Sequence, residues 1–152
     1  MTELDEMDRR ILRELQRRGR ISNADLAVAC HISPSACHRR MQRLENEGII
    51  RDYVALLDPR LVDRRSTVFV EVTLDSQADE TLAAFERAVR GVEDVLECHL
   101  MAGRADYMLK VVASDTEHYA RIHRHLVRLP GVQKMQSSFA MRTVFKTTAL
   151  PV

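Results

Sequence analysis

The chain has 152 residues, room for one domain or two small ones, and its 45% hydrophobic and 30% charged composition is that of a folded globular protein. No apolar run approaches membrane-span length and the polar, acidic start MTELDEMDRR is not that of a signal peptide, so a cytoplasmic protein is expected. The net charge is only +1, but residues 9–51 carry ten Arg against four acids, a local +6 that leaves −5 elsewhere, and a basic module joined to a mildly acidic one fits phosphate attraction confined to one end.

In chain order, Asp5 can cap a first helix with Asp8 at its third position and Leu4 packing from outside. Met7, Ile11, Leu12 and Leu15 form the apolar stripe, arginines fill the remainder, and Gly19 stops it. Residues 22–48 then hold two short helical patterns back to back. Ser22 caps the first, whose apolar positions are Leu26, Ala27 and Cys30. Ser33 followed by Pro34 opens the second, a hydroxyl cap before a proline whose missing N–H costs nothing at the first helical position. Cys37, Met41 and Leu44 recur on one narrow face, while Ser35, Arg39, Gln42, Arg43 and Asn46 project from the other, and Gly48 ends the helix.

A short helix, a tight turn at His31 and a second helix with an arginine-bearing outer face read as a helix-turn-helix, whose second helix enters the major groove. A solvated outer face on an ordinary helical hairpin would look similar. Under the DNA reading, Ser35, His38, Arg39 and Gln42 are candidates for base or groove contact, joined at the helix entry by Ser33. Arg40, Arg43 and Arg51 are candidates for phosphate, with an internal brace as the alternative for Arg40. About 50 residues is close to the lower limit for an independent core, so help from the rest of the chain is expected.

IIRDYVALL after Gly48 is strand-like in content, and DPRLVDRR (58–65) reads as a linker. From Ser66 the period changes: Val68, Val70, Val72 and Leu74 alternate as a strand. A helix follows over 78–90, then strands over 95–102 and 107–113 around a Gly103-Arg104-Ala105 turn. Asp115 caps another helix aligning Tyr119, Ile122, Leu126 and Leu129, and a long last strand runs over 132–145. The order β-α-β-β-α-β is the ferredoxin-like arrangement, an α+β sheet with both helices on one face. Phe69, Val95, Met101 and Phe139 leave apolar groups on both faces of it, which suggests a partner, most simply a second copy in a two-fold dimer.

Three cysteines at spacings of 7 and 61 match neither a disulfide framework nor a zinc pattern, and Cys30, Cys37 and Cys98 read as small buried hydrophobes. His118, His123 and His125 share a helix without the i, i+4 spacing a metal needs, so no metal or other cofactor is expected. No Ser or Cys sits in a nucleophile elbow.

Taken together, LDEMDRRILRELQRRGRIS, ISPSACHRRMQRLENEGIIRDYVALLDP, GRADYMLKV, LPGV and SSFAMRTVFKTTALPV resemble the Lrp/AsnC family of transcription regulators over essentially all of residues 4–152. The resemblance implies a winged helix-turn-helix DNA-binding domain (1–50), a hinge strand and linker (51–65), and a domain that dimerises and senses amino acids (66–152), built into dimers, tetramers or octamers on double-stranded DNA. It implies an effector site near the turn of Gly103, Arg104, Ala105, Asp106 and Tyr107, with Leu100 before it and Ser137, Ser138 and Phe139 of the last strand. Asp106 could accept from an ammonium and backbone N–H groups near Gly103 could hold a carboxylate; the purely structural alternative makes Gly103 a positive-φ turn residue and Asp106 a turn carboxylate. His31 stands where the family more often has glycine, Val62-Asp63 replaces a frequent linker glycine, and Arg104 puts a cation beside the expected ammonium site. The rival enzyme reading is a heme-pathway, tetrapyrrole-decarboxylase relative of the same two-domain architecture, which would not need the outward Ser35/Arg39/Gln42/Arg43 stripe.

Overall fold

A computed structural model describes residues 3–152. The chain divides into two compact units: one runs through Leu56 and is completed by Phe145–Val152, the other spans Leu57–Val144.

The first unit holds α1 (Glu6–Arg17), α2 (Asn23–Cys30) and α3 (Pro34–Asn46). Asp5 caps α1 by accepting the Asp8 N–H at 2.8 Å, and the Asp8 carboxylate accepts the Asp5 N–H at 3.2 Å, a reciprocal capping box. Ser22 and Ser33 cap α2 and α3 through the N–H groups of Asp25 and Ala36. His31 closes α2 in the left-handed conformation (φ 57°, ψ 44°), so the histidine takes the turn geometry that a glycine would adopt without strain. Ile11, Leu26, Ala27, Cys30, Cys37 and Leu44 are fully or almost fully buried together, each large aliphatic contributing about 1.5–3 kcal/mol of burial. The expected outside help comes from the chain's last residues. Val152 packs against this core, the Gln16 side-chain amide both donates to Leu150 O (3.0 Å) and accepts from Leu150 N–H (2.6 Å), and Arg13 donates to Val152 O at 2.9 Å.

The second unit is a four-stranded antiparallel sheet in the order β2-β3-β1-β4, from β1 (Ser66–Leu74), β2 (Val95–Leu100), β3 (Tyr107–Ala113) and β4 (Val132–Phe139), with α4 (Asp79–Val89) and α5 (Thr116–Leu126). Val68, Val70, Val72 and Leu74 of β1 and Tyr107, Leu109 and Val111 of β3 share a buried face with Phe85, Val89, Tyr119, Ile122 and Leu126, so both helices cover the same side. This is the ferredoxin-like topology expected. The uncovered face carries Phe69, Glu71, Thr73, Lys110, Lys134, Gln136 and Ser138 by register, and is more polar than the sequence suggested: Val95 and Phe139 pair with Val111 and Val68 of the helix-covered side.

Four expectations change. The last strand ends at Phe139, not at 145, because β1 runs out of residues to pair with: Ala140 N–H still donates to Thr67 O at 2.9 Å and β1 begins at Ser66. Residues 51–57 form no strand, since no second strand lies beside them among the described residues, and Tyr53, Val54, Leu56 and Leu57 are exposed. The last eight residues belong with the helical unit rather than with the sheet. Cys98 is exposed: it faces the helix side, but on β2, an edge strand beyond the helices' cover, where Leu96 and Leu100 are exposed as well.

Candidate nucleic-acid interface and effector turn

The first three turns of α3 present Ser35, His38, Arg39 and Gln42 to solvent. Among the described residues Arg39 has no ion-pair or hydrogen-bond partner, and Arg51, just past the helix, is likewise unpaired and exposed. The Ser33 hydroxyl accepts from Ala36 N–H and lies 3.2 Å from the Ser35 hydroxyl, so the helix entry offers a phosphate oxygen two adjacent hydroxyls and the Ser35 N–H, Pro34 having none and the Ala36 and Cys37 N–H groups being taken by Ser33. Asn23 donates to Pro34 O at 2.9 Å and ties the start of α2 to the start of α3, a contact that sequence periodicity does not reveal.

Arg40 and Arg43 are placed differently. They lie one turn apart on the side of α3 that meets α1, and both reach the Asp8 carboxylate, which is fully buried. Arg40 donates to Asp8 Oδ1 at 2.7 Å and to Asp5 Oδ2 at 2.7 Å, while Arg43 donates to Asp8 Oδ2. Arg43 Nε is buried without a partner. The Asp5 carboxyl is held below its ordinary range by the Asp8 N–H and then by Arg40, and the Arg40 guanidinium is pushed further up by the hydrogen bonds to Asp5 and Asp8. The internal brace left open for Arg40 in the sequence is therefore present and is shared by Arg43.

In the second unit the turn between β2 and β3 contains Gly103, Arg104 and Ala105, with Arg104 exposed and Ala105 partly covered. Gly103 is not in the left-handed region, and a methyl group built on it would meet nothing within 4 Å, so neither backbone conformation nor packing in the chain asks for glycine there. Asp106 is buried: Oδ2 accepts from Leu74 N–H at 2.7 Å and Oδ1 from Gln77 Nε2 at 2.8 Å, which fastens the turn to the end of β1. Tyr107 points into the core, its ring 4.7 Å from that of Phe85 and its hydroxyl donating to Glu86 at 2.8 Å, with burial first and then Glu86 pushing its pKa up. Ser137 shares a 2.5 Å hydrogen bond with the Tyr119 hydroxyl on the helix side, the neighbouring Phe139 ring meets Tyr119 edge-on at 5.0 Å, and Ser138 faces the open side.

The effector residues named from the sequence are thus not gathered in one place. Leu100 ends edge strand β2 and Ser137–Phe139 end the opposite edge strand β4, three interstrand spacings or about 14 Å apart. What the turn does meet is a cleft of about 440 Å³ on the open face, lined by Glu71, Thr73, Arg104, Ala105, Lys134 and Gln136. Glu71, Arg104 and Lys134 have no charged partner within 4 Å among the described residues. Only Arg104 and Ala105 of this set were legible beforehand; alternation along β1 and β4 would have marked the others as open-face positions, but not their meeting at the turn.

Two family profiles match the chain: winged helix-turn-helix DNA-binding over residues 4–51 and Lrp/AsnC ligand binding domain over residues 67–150. The chain is 40% identical over 151 residues to the leucine-responsive regulatory proteins of Escherichia coli K12 and Salmonella typhimurium LT2, covering 99% of this chain and 92% of each relative. Its fold superposes on the AsnC family transcriptional regulator from Agrobacterium tumefaciens with a TM-score of 0.94, 38% identity and 97% of both chains covered. It matches the transcriptional regulator NMB0573 of Neisseria meningitidis, solved as a complex with L-Met, with a TM-score of 0.93, 36% identity, and 98% and 97% of the two chains covered. With a reading helix outward-facing in one unit and a ferredoxin-like effector domain in the other, the chain belongs to the Lrp/AsnC family of DNA-binding transcriptional regulators.

Proposed function

We propose that this regulator senses a free α-amino acid at the 101–107 turn and reads DNA through Ser35, His38, Arg39 and Gln42, with Ser33 and Arg51 on the phosphates. The observation that carries the sensing half is Gly103, an exposed glycine without internal cause, at which only something from outside the chain gains from the missing side chain. The Neisseria relative is described with L-Met, which supports an amino acid as the ligand class. Asp106 shapes the turn instead of meeting the ammonium first, because it is buried and bound to Leu74 and Gln77 from within the chain. Since Leu100 on β2 and Ser137–Phe139 on β4 lie on opposite edges of the sheet, a site using both takes one from each of two copies, and effector binding then reports on assembly. A homodimer that grows to a tetramer or octamer fits that arrangement, and the likeness to transcriptional regulators supports a cytoplasmic regulator without enzymatic activity. Among the described residues no helix is long and apolar enough to cross a membrane.

The test is fluorescence anisotropy on DNA from upstream of the protein's own gene, at fixed salt, with sedimentation of the same samples, across the twenty amino acids. One amino acid, or a small group alike in side chain, should shift both the binding curve and the assembly state. Absence of any shift in either readout, or a shift retained by Gly103→Val, would refute sensing at this turn.

A further inference from the structure

We propose that Asp8, a residue of α1 and not of the reading helix, is a specificity-determining positioning residue: it fixes the rotation of α3 and withholds two guanidinium groups from indiscriminate phosphate binding. The inference rests on α3 being the helix that reads DNA.

Asp8 is completely buried, and its carboxylate accepts from three donors, Arg40, Arg43 and the Asp5 N–H. A buried carboxylate is strongly destabilising unless its partners stay in place. Those partners sit at successive turns of α3, so two points of attachment define both its azimuth and its axial register against α1. The tolerance matters at the opposite face. Side-chain tips lie about 5–6 Å from a helix axis, so a 20° rotation moves Arg39 and Gln42 by about 2 Å, more than a bidentate hydrogen bond to a base edge survives. Arg40 and Arg43 are also balanced in charge by Asp8 and Asp5, so that cluster adds nothing to the net field that draws in DNA of any sequence. The arginines free to add to it lie elsewhere, Arg39 and Arg51 among them.

Asp8→Asn removes the charge and keeps the shape. The full-length variant is titrated onto two labelled duplexes of equal length, one selected by the wild-type protein from a random pool and one scrambled, across a salt series. Circular dichroism establishes that it is folded at the assay temperature. Released guanidiniums should tighten scrambled-DNA binding several-fold and steepen the logarithmic salt slope by about 1–2, at about 0.9 per added phosphate contact. The ratio of selected to scrambled affinity should fall at least tenfold. A residue that only stabilises the fold would lower both affinities together and leave ratio and slope unchanged, and that result overturns the proposal.

Should Asp8→Asn fail to fold, Arg40→Gln and Arg43→Gln decide separately. With the guanidiniums already held by Asp8, scrambled-DNA affinity and salt slope stay within twofold and 0.3 of wild type while selected-DNA affinity falls. If instead either variant loses affinity for both duplexes alike and flattens the slope by about 1, the arginine is a phosphate ligand and the proposal is wrong. Arg39→Ala, run beside them, tests the reading of α3 itself, so failure of that reading is seen separately.

Discussion

Replacing Asp106 separates a carboxylate that only builds the 101–107 turn from one that touches a bound amino acid. Leu74 lies at the register shift between β1 and β4, is 4% exposed, and its N–H is met by Asp106 Oδ2 at 2.7 Å. Asp106→Ala leaves that buried donor without a partner, at a cost of about 1–3 kcal/mol, and the lost charge-assisted character of the bond places the expected value near the top, about 2–3 kcal/mol. Gln77 is exposed and recovers its own bond from water, so it adds little. For a unit of this size the loss corresponds to a fall in melting temperature of about 10–20 °C. Asp106→Asn keeps a carbonyl for Leu74, and Gln77 can turn its amide to present oxygen to the new NH2, so its cost should be about 1 kcal/mol or less. Urea unfolding followed by far-UV circular dichroism at one fixed protomer concentration measures both. The amino-acid response should survive in Asp106→Asn and disappear in Asp106→Ala. An Asp106→Ala protein within 0.5 kcal/mol of wild type would refute the hydrogen-bond argument. A stable Asp106→Asn protein that no longer responds would put the negative charge itself on the ligand.

Arg39→Ala should weaken binding to selected DNA by about 1–3 kcal/mol with little change on scrambled DNA, as measured by anisotropy; equal losses on both would assign Arg39 to the backbone. Gly131 has φ +74°, and a Cβ on it would fall 2.7 Å from Thr81 Cγ2, so Gly131→Ala combines left-handed strain with overpacking and should cost about 2–4 kcal/mol in urea unfolding. Because the folded Asp5 carboxyl titrates below its unfolded value of 3.8, its contribution to stability is complete above that value and is lost as pH falls further. Acid unfolding of α1, followed by hydrogen exchange between pH 5 and pH 2, should therefore depend less steeply on pH in Asp5→Asn, which keeps the cap; an unchanged slope would remove Asp5 from the linkage.

The elements with local causes were legible. Ser22, Ser33-Pro34 and Asp115 announce helix starts through hydrogen bonds within three residues, and the Val68–Leu74 alternation needs only the pleat to show which side is buried. The ends of elements that depend on a distant partner were not. Val132 to Phe145 reads as one strand, but its length is set by where β1 stops. Cys98 reads as buried because its neighbours are apolar, whereas its exposure follows from the rank of β2 at the sheet edge. At the reading head, the outward face of α3 follows from helical period alone. That Arg40 and Arg43 are held by Asp8 depends on contacts 32 and 35 residues apart, which no local pattern encodes. The 103–107 turn stands out as a motif, but the donors and ring neighbours that hold Asp106 and Tyr107 come from β1, α4 and the loop between them, where no local pattern points.

The return of Phe145–Val152 to the first unit sets an order of events during synthesis. The helices of that unit leave the ribosome first, but Val152 and the Leu150 backbone that finish its core and brace α1 emerge only after residues 57–144. At about 5–20 residues per second those 88 residues separate the two halves by roughly 4–18 s, long compared with the folding of small helical or mixed domains. The head that reads DNA therefore cannot close its core until the whole of the second unit has been made, and its three helices wait in the nascent chain for a segment from the far end.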